Sequence, residues 1–200
     1  MNKLVLMVDL DDVFWEFNDA YRRWHNKKYG TDFRYEDLYT FDMPELYGVS
    51  KAQNSCNVHD FITHSHHTVL PYIAMLDILP ILTNYFQLQV ATSRHENIHQ
   101  FTIDAVERYA PDTFAAYHFT DGFGCVGTDA VWTKLEVCQS VDALALIEDA
   151  PKHALMVAQG GIPVFLPDKP WNQAVAHPNI QRYYNHSQLV SFCKALIESH

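Results

Sequence analysis

Residues 4–12 read LVLMVDLDD, and this stretch decides the fold. Five consecutive apolar residues, Leu4 to Val8, predict a short β-strand buried on both faces, and the run stops abruptly at Asp9. A strand covered on both faces is typical of a parallel sheet that lies between two layers of helices. The three carboxylates that follow it, on Asp9, Asp11 and Asp12, make the end of this strand a candidate functional site.

The same pattern of an apolar run that ends in polar or turn residues recurs three times along the chain. These runs are Phe86 to Ala91 before Thr92, Ala143 to Ile147 before Glu148, and Ile162 to Leu166 before Pro167. Helical patterns between the runs predict helices over residues 98–109, 131–139 and 151–159. Alternating strands and helices predict an α/β fold with a Rossmann-type parallel sheet flanked by helices.

Residues 14–76 interrupt this alternation, because they contain no convincing buried strand. An apolar stripe of Phe17, Tyr21 and Trp24 predicts a helix that ends near Gly30, and a second helix is expected from Lys51 to Thr68. We interpret residues 14–76 as a small helical cap inserted into a core domain made of residues 1–13 and 77–200.

Composition and charge exclude several classes of protein. The 200 residues are 48% hydrophobic, which is enough to bury a sizeable core. Only 14 residues are Lys or Arg and the net charge is −10, which argues against a nucleic-acid polymer as partner. The sequence has no signal-peptide pattern and no apolar run long enough to span a membrane. We therefore expect a cytoplasmic protein without a membrane partner, and the sequence leaves open whether it forms a homodimer.

Polar residues collect where the predicted strands end. In doubly wound sheets, ligands bind outside the carboxyl ends of the strands. Those ends carry Asp9, Asp11, Thr92, Ser93, Glu148 and Asp149. Each of these residues alone also suits a turn or a helix cap, but together they form an oxygen-rich cluster, and hard oxygen ligands favour Mg²⁺.

Four segments in this order resemble the motifs of the haloacid dehalogenase superfamily of phosphatases. They are VDLDDV at 8–13, VATSR at 90–94, Lys134, and LIEDA at 146–150. The cap, the start DLDDVFWEF and the segment GGIPVFLPDKPWN at 160–172 are similar to the 5′(3′)-deoxyribonucleotidase-like branch (cytosolic type C). This resemblance implies a Mg²⁺-dependent phosphomonoester hydrolase that acts through an aspartyl-phosphate, with a small phosphorylated metabolite, a nucleotide, as its partner. Asp12 departs from the pattern, because many relatives have glycine there.

The resemblance also assigns roles to individual residues. Asp9 is the expected nucleophile and Asp11 the acid and then base, while Thr92 and Lys134 are expected to stabilise the transferring phosphoryl group. The expected metal ligands are Asp9, Asp11, Glu148 and Asp149. Of the last two, the resemblance requires one as a direct ligand and allows the other to hold a coordinated water, and we favour Asp149 as the direct one.

The expected substrate contacts come from the second motif and from the start of the cap. Ser93 and Arg94 are candidates for binding the phosphate, although an arginine at a strand exit also suits the surface. Trp15 and Phe17 are candidates for an aromatic wall against a nucleobase, with packing in the cap as the alternative. The histidine cluster at residues 59–67 matches no familiar metal-ligand spacing, and we interpret it as a solvated helix face.

Other classes of protein share some of these features. Receiver domains of signalling systems also combine an acidic pair, a phospho-accepting Asp and a Lys on a parallel sheet. A receiver places its lysine last, whereas Lys134 precedes the acidic pair at 148–149, and a receiver has no cap after its first strand. Within the superfamily, the alternatives are a small-metabolite or sugar-phosphate phosphatase or phosphomutase, and a non-catalytic phosphate-binding member.

Overall fold

A fully parallel, six-stranded β-sheet forms the centre of the computed structural model, which describes residues 3–120 and 132–199. The strands are β1 (Leu4–Val8), β2 (Phe86–Thr92), β3 (Tyr117–Phe119), β4 (Ala143–Ile147), β5 (Val164–Pro167) and β6 (Ile180–Tyr183). Their order across the sheet is β3-β2-β1-β4-β5-β6, and every neighbouring pair is parallel. The expected Rossmann-type α/β fold is confirmed.

Helices lie between the strands and after the last of them. In the described part of the chain they are α1 (Phe17–Tyr29), α2 (Met43–Tyr47), α3 (Lys51–Ser65), α4 (Ile73–Leu82), α5 (His99–Tyr109), α6 (Lys134–Ser140), α7 (Pro151–Gln159) and α8 (His186–Glu198). Gly30 ends α1 in the left-handed conformation, with φ of 68°, which a glycine adopts without steric penalty. None of the helices in the described ranges has the length and apolar composition needed to cross a bilayer.

The core lies on both faces of the sheet, as the uninterrupted apolar runs predict. Leu6 and Val8 of β1 belong to one buried cluster, whereas Met7, between them, belongs to a second cluster on the opposite face. Because side chains alternate along a strand, a run without polar residues fits only a strand covered on both faces.

Strand register places the ends of β1, β2 and β4 side by side. Val8 of β1 pairs with Val90 of β2 and with Ile147 of β4. The Asp9 amide continues the ladder by donating to the Ile147 carbonyl at 3.0 Å. Residues that follow these three strands therefore meet at one edge of the sheet.

The observed elements match the sequence closely in the core and less closely at the boundaries. The strands predicted at Leu4–Val8 and Ala143–Ile147 and the helix Pro151–Gln159 are confirmed residue for residue. The helix expected to reach Thr68 ends at Ser65, and a 3₁₀ turn, His66–Thr68, follows it. The beginning expected for α6, Val131, lies outside the described residues. Five of the strands and helices named above, β3, β6, α2, α4 and α8, were not predicted.

The expected insert is helical, but its expected end falls within a helix. Helices α1, α2 and α3 lie entirely between residues 14 and 76, and no strand is found among them. Helix α4 crosses the expected boundary between residues 76 and 77 and packs against α8. The division into a cap of residues 14–76 and a core of residues 1–13 and 77–200 stays a prediction.

Candidate active site

A tight turn carries the chain from β1 into α1 and exposes the first carboxylate to a cavity. Asp12 adopts the left-handed conformation, with φ of 60°. Its buried carboxylate accepts a hydrogen bond from the Asn18 amide at 3.2 Å, in the first turn of α1. Many proteins with the resembling motif have glycine at this position. An aspartate can take its place here, because its short side chain tolerates the left-handed conformation and accepts a hydrogen bond from a free amide at the start of α1.

Lys134 joins the carboxylates of two strand ends. Its Nζ lies 2.7 Å from Asp9 Oδ1 and 2.6 Å from Glu148 Oε2, and all three side chains are buried. A capping box between Thr133 and Glu136 begins helix α6 and so places Lys134 at its first position. The structure thus brings the lysine of the third motif to the predicted site rather than to the surface.

The charges of this cluster do not balance. Burial, together with the charge of Glu148, raises the pKa of Asp9 to about 8, and the same two causes raise the pKa of Asp149 well above its ordinary value. Burial alone would also raise the pKa of Glu148, but Lys134 and His153 hold it below its usual range. Such shifts show a site with an excess of negative charge, which a cation would relieve.

Three of these carboxylates could hold a metal ion. Oxygen atoms of Asp9, Glu148 and Asp149 all lie within 4.8 Å of one another. Carboxylate oxygens are the ligands that Mg²⁺ prefers, so the chemistry of this group fits Mg²⁺. Asp11, which was also expected as a ligand, is not a member of this group.

The two adjacent acids of the fourth motif differ in their hydrogen bonds. Glu148 uses both oxygens, one toward Lys134 and the other as acceptor from the Ala150 amide at 2.8 Å. Asp149 Oδ2 accepts from Trp171 Nε1 at 2.8 Å, and among the described hydrogen bonds its other oxygen has none. A neighbouring amide, Asn172 Nδ2, donates to the Asp149 carbonyl at 3.0 Å.

Arg94 binds Asp11 rather than lying on the surface. Its Nε and Nη2 donate to the two oxygens of Asp11 at 3.0 and 2.5 Å, while Nη1 lies 2.8 Å from His66 Nε2. Arg94 is buried, and burial followed by the charge of Arg94 lowers the pKa of His66 to about 4. The prediction of a solvated histidine face is therefore wrong for His66, whereas His59, His64 and His67 are exposed.

A cavity of about 340 Å³ lies between the strand ends and the helices of the expected cap. Of the residues predicted for the site, its lining includes Asp9, Asp11, Phe17, Thr92, Ser93, Arg94, Lys134 and Asp149. The cap side contributes apolar residues and also Asn18, Asn54, Ser55 and His59. The Ser93 hydroxyl lies 3.0 Å from the hydroxyl of Thr120.

Trp15 does not face the cavity, so it is not placed to contact a substrate there. It is fully buried, packs edge-on against Phe14 with ring centroids 4.6 Å apart, and is absent from the cavity lining. The residue two positions later, Phe17, does line the cavity, although its ring is mostly buried against Phe61 and Tyr21. Only one ring of the predicted aromatic wall therefore faces the candidate site.

Several site residues were not predicted from the sequence. Trp171 and Asn172 lie 22 and 23 residues beyond Asp149. Asn54 lies outside every motif, whereas His153 follows shortly after the fourth motif. The motif GGIPVFLPDKPWN contains the first two residues, and this was the available signal that the segment lies near the site.

Comparison with known proteins identifies the fold. No protein-family model and no curated protein matches the sequence significantly. Among solved structures, a haloacid dehalogenase-like family hydrolase from Streptococcus pneumoniae has a TM-score of 0.69 at 14% identity, covering 95% of this chain and 98% of that chain. A protein from Clostridium acetobutylicum, named as a predicted phosphatase, has a TM-score of 0.67 at 14% identity, and the match covers 99% of this chain and 100% of that chain. A protein from Thermotoga maritima, provisionally named a beta-phosphoglucomutase, has a TM-score of 0.58 at 13% identity, covering 96% and 99%. The chain therefore has the fold of the haloacid dehalogenase-like hydrolases.

Proposed function

We propose that the protein is a Mg²⁺-dependent phosphomonoester hydrolase in which Asp9 accepts the phosphoryl group. The observation that carries this proposal is the convergence of Asp9, Lys134 and Asp149 at the lining of one cavity, on a fold shared with proteins named as phosphatases. In the same proposal, helices α1 to α3 form a cap over the strand ends.

Asp9 and Asp149 would hold the metal ion, with Glu148 beside them. Both Glu148 oxygens already accept hydrogen bonds, whereas Asp149 is oriented through one oxygen by Trp171, which supports Asp149 as the direct ligand. When bound, Mg²⁺ supplies positive charge that offsets the carboxylates and the phosphoryl oxygens.

The protein's own residues then divide the reaction into two displacements. An Asp9 oxygen attacks phosphorus as the bond to the leaving oxygen breaks, and Asp11 gives its proton to that oxygen. In the second step, water attacks the phosphoryl group, its proton passes to Asp11, and the bond to Asp9 breaks. Thr92 and Lys134 line the cavity beside Asp9, where they would bind the transferring oxygens.

In this proposal, substrate binding releases Asp11 from its ion pair with Arg94. Because its guanidinium holds both Asp11 oxygens, the acid role requires Arg94 to move toward the substrate phosphate and release Asp11. A phosphate is a suitable competitor, since arginine binds phosphate and carboxylate in the same two-bond geometry.

The cavity suits a small phosphorylated metabolite of the sugar-phosphate class better than the nucleotide suggested by the sequence. Its volume of about 340 Å³ is near the lower end of the roughly 300–1,000 Å³ of small-molecule sites. The predicted ring wall is reduced to Phe17, because Trp15 is part of the core. A protein of this fold is also provisionally named a sugar phosphomutase.

A panel of phosphomonoesters tests this function. The purified protein is incubated with sugar phosphates, nucleoside 5′-monophosphates and phenyl phosphate, with Mg²⁺ or with excess chelator, and released phosphate is measured. We expect release only with Mg²⁺ and most rapidly from sugar phosphates. Faster release from nucleotides, with a loss in Phe17→Ala confined to them, would favour a nucleotidase. No release from any ester, or full activity in chelator, would contradict the proposal.

A further inference from the structure

An asparagine in the first turn of α1 lines the cavity with a free side-chain amide. Asn18 is only 9% exposed and lies in the cavity wall together with Asp9 and Asp12. Among the described residues, its backbone amide binds Asp12, whereas its side-chain amide has no partner. Neither Oδ1 nor Nδ2 of Asn18 is among the unpaired polar atoms of these residues that solvent cannot reach, so both atoms remain accessible. Because the residue is otherwise buried, the cavity is where a ligand can reach them.

The start of α1 gives this side chain no structural role. Asparagine is favoured at the N-cap of a helix, where its side chain accepts from a backbone amide. In α1 the N-cap is Glu16, and Asn18 lies two positions further along. Asn26, on the same helix, is fully paired. Its side chain accepts from the Thr31 hydroxyl at 2.8 Å and from the Phe33 amide at 3.1 Å, and it donates to the Phe33 carbonyl at 2.8 Å.

The first turn of α1 lies beside the groups proposed to bind the phosphate. The guanidinium carbon of Arg94 lies 5.8 Å from the centre of the Phe17 ring, and Asn18 follows Phe17 directly. All three residues line the cavity. A phosphate bound at the strand ends therefore leaves the carbon skeleton of the substrate near the wall that carries Asn18.

We propose that Asn18 is a specificity-determining residue whose side-chain amide hydrogen-bonds a hydroxyl group on the carbon skeleton of the substrate. This inference rests on the proposed phosphatase function and narrows its substrate class to hydroxylated phosphomonoesters, namely sugar and polyol phosphates. Oδ1 accepts and Nδ2 donates, and a hydroxyl group can do both, so the two groups match. An apolar carbon in the same place displaces water from the amide without replacing its hydrogen bonds, and such a ligand is rejected.

The free protein should tolerate the loss of this side chain, because no hydrogen bond within the described residues depends on it. Asn18→Leu is similar in size, and we expect its midpoint of thermal unfolding to lie within about 2 °C of wild type. Asn26→Leu is the matched control, on the same helix but not in the cavity lining. It loses three hydrogen bonds, so its midpoint should fall by about 6–12 °C.

Ligand selection is measured by calorimetry in an Asp9→Asn background with Mg²⁺, so that the result does not depend on turnover. The probes form two pairs, glucose 6-phosphate with cyclohexylmethyl phosphate, and glycerol 1-phosphate with propyl phosphate. The second member of each pair has no hydroxyl group on its carbon skeleton. We expect Asn18→Leu to reduce the preference for the hydroxylated member of at least one pair about tenfold, equivalent to about 1.4 kcal/mol. Asn26→Leu should retain the preference, and Asn18→Ala should repeat the loss if the leucine does not fit.

The outcomes separate this inference from the function on which it rests. The inference is overturned if the preference is absent from the Asp9→Asn background or unchanged in both Asn18→Leu and Asn18→Ala. A fall in the unfolding midpoint of both variants as large as that of Asn26→Leu also overturns it, because the side chain then has a structural role. The phosphatase proposal survives these results, since it depends on hydrolysis. If the wild-type protein hydrolyses no phosphomonoester but the preference in binding depends on Asn18, the function is wrong and the inference holds.

Discussion

Replacing Lys134 by Met removes the cation that joins two buried carboxylates. The side chains of Lys134, Asp9 and Glu148 are only 2%, 8% and 0% exposed. Removing one partner of a buried ion pair leaves an uncompensated charge and costs about 3–5 kcal/mol. For a chain of this length, 1 kcal/mol shifts the unfolding midpoint by roughly 2–4 °C, so we expect Lys134→Met to unfold about 6–20 °C below wild type in chelator.

Thermal unfolding followed by circular dichroism measures this change. Lys51→Met is the matched control, because Lys51 is an exposed lysine at the start of α3 and should have little effect. Added Mg²⁺ should recover part of the midpoint in Lys134→Met by supplying positive charge to Asp9 and Asp149, while phosphatase activity stays lost. A midpoint within about 2 °C of wild type in chelator would refute the reasoning, because that is no more than the effect of about 1 kcal/mol.

Three further predictions concern residues around this centre. Trp171→Phe keeps an aromatic ring but removes the hydrogen-bond donor to Asp149, so half-maximal activation should need about tenfold more Mg²⁺. The pKa of His66 is lowered from 6.5 to about 4, so the unfolding midpoint of the wild type should be highest above about pH 6.5 and should fall as the pH drops toward 4. His66→Gln accepts a hydrogen bond from Arg94 without titrating, so this fall in the midpoint should be smaller in the variant. Asp12→Ala should unfold at a lower temperature than Asp12→Gly, because both lose the contact with α1 but only glycine adopts φ of 60° without a penalty of about 1–2 kcal/mol.

The core of the fold could be predicted because its signals are local. Residues Leu4 to Val8 are apolar at every position, which is the pattern of a strand covered on both faces. Pro151 and Gly160 mark the two ends of α7. In contrast, β3 has three residues, all partly exposed, and β6 has four with a mixed pattern. Edge strands of this kind are determined by pairing with the rest of the sheet, so their sequences carry little signal.

The site was predictable to the extent that strand ends determine it. Asp9 and Asp149 come together because the parallel strands β1 and β4 end at the same edge of the sheet. Lys134 joins them because α6 begins at that edge. The partners of Arg94 and the burial of Trp15, which packs against His66 and Tyr109, depend on contacts between segments far apart in the chain. Aromatic residues next to a nucleophile look alike in sequence whether they face a cavity or the core, and only packing separates these cases.

The covalent role of Asp9 is the central claim, and one measurement tests it most directly. The protein is incubated with Mg²⁺ and a hydrolysed phosphomonoester, quenched in acid, digested, and searched by mass spectrometry for a phosphorylated peptide. We expect a phosphoryl group on Asp9 in the wild type, and neither that group nor turnover in a folded Asp9→Asn protein. Undiminished hydrolysis by folded Asp9→Asn, or a phosphoryl group on a different residue, would contradict it.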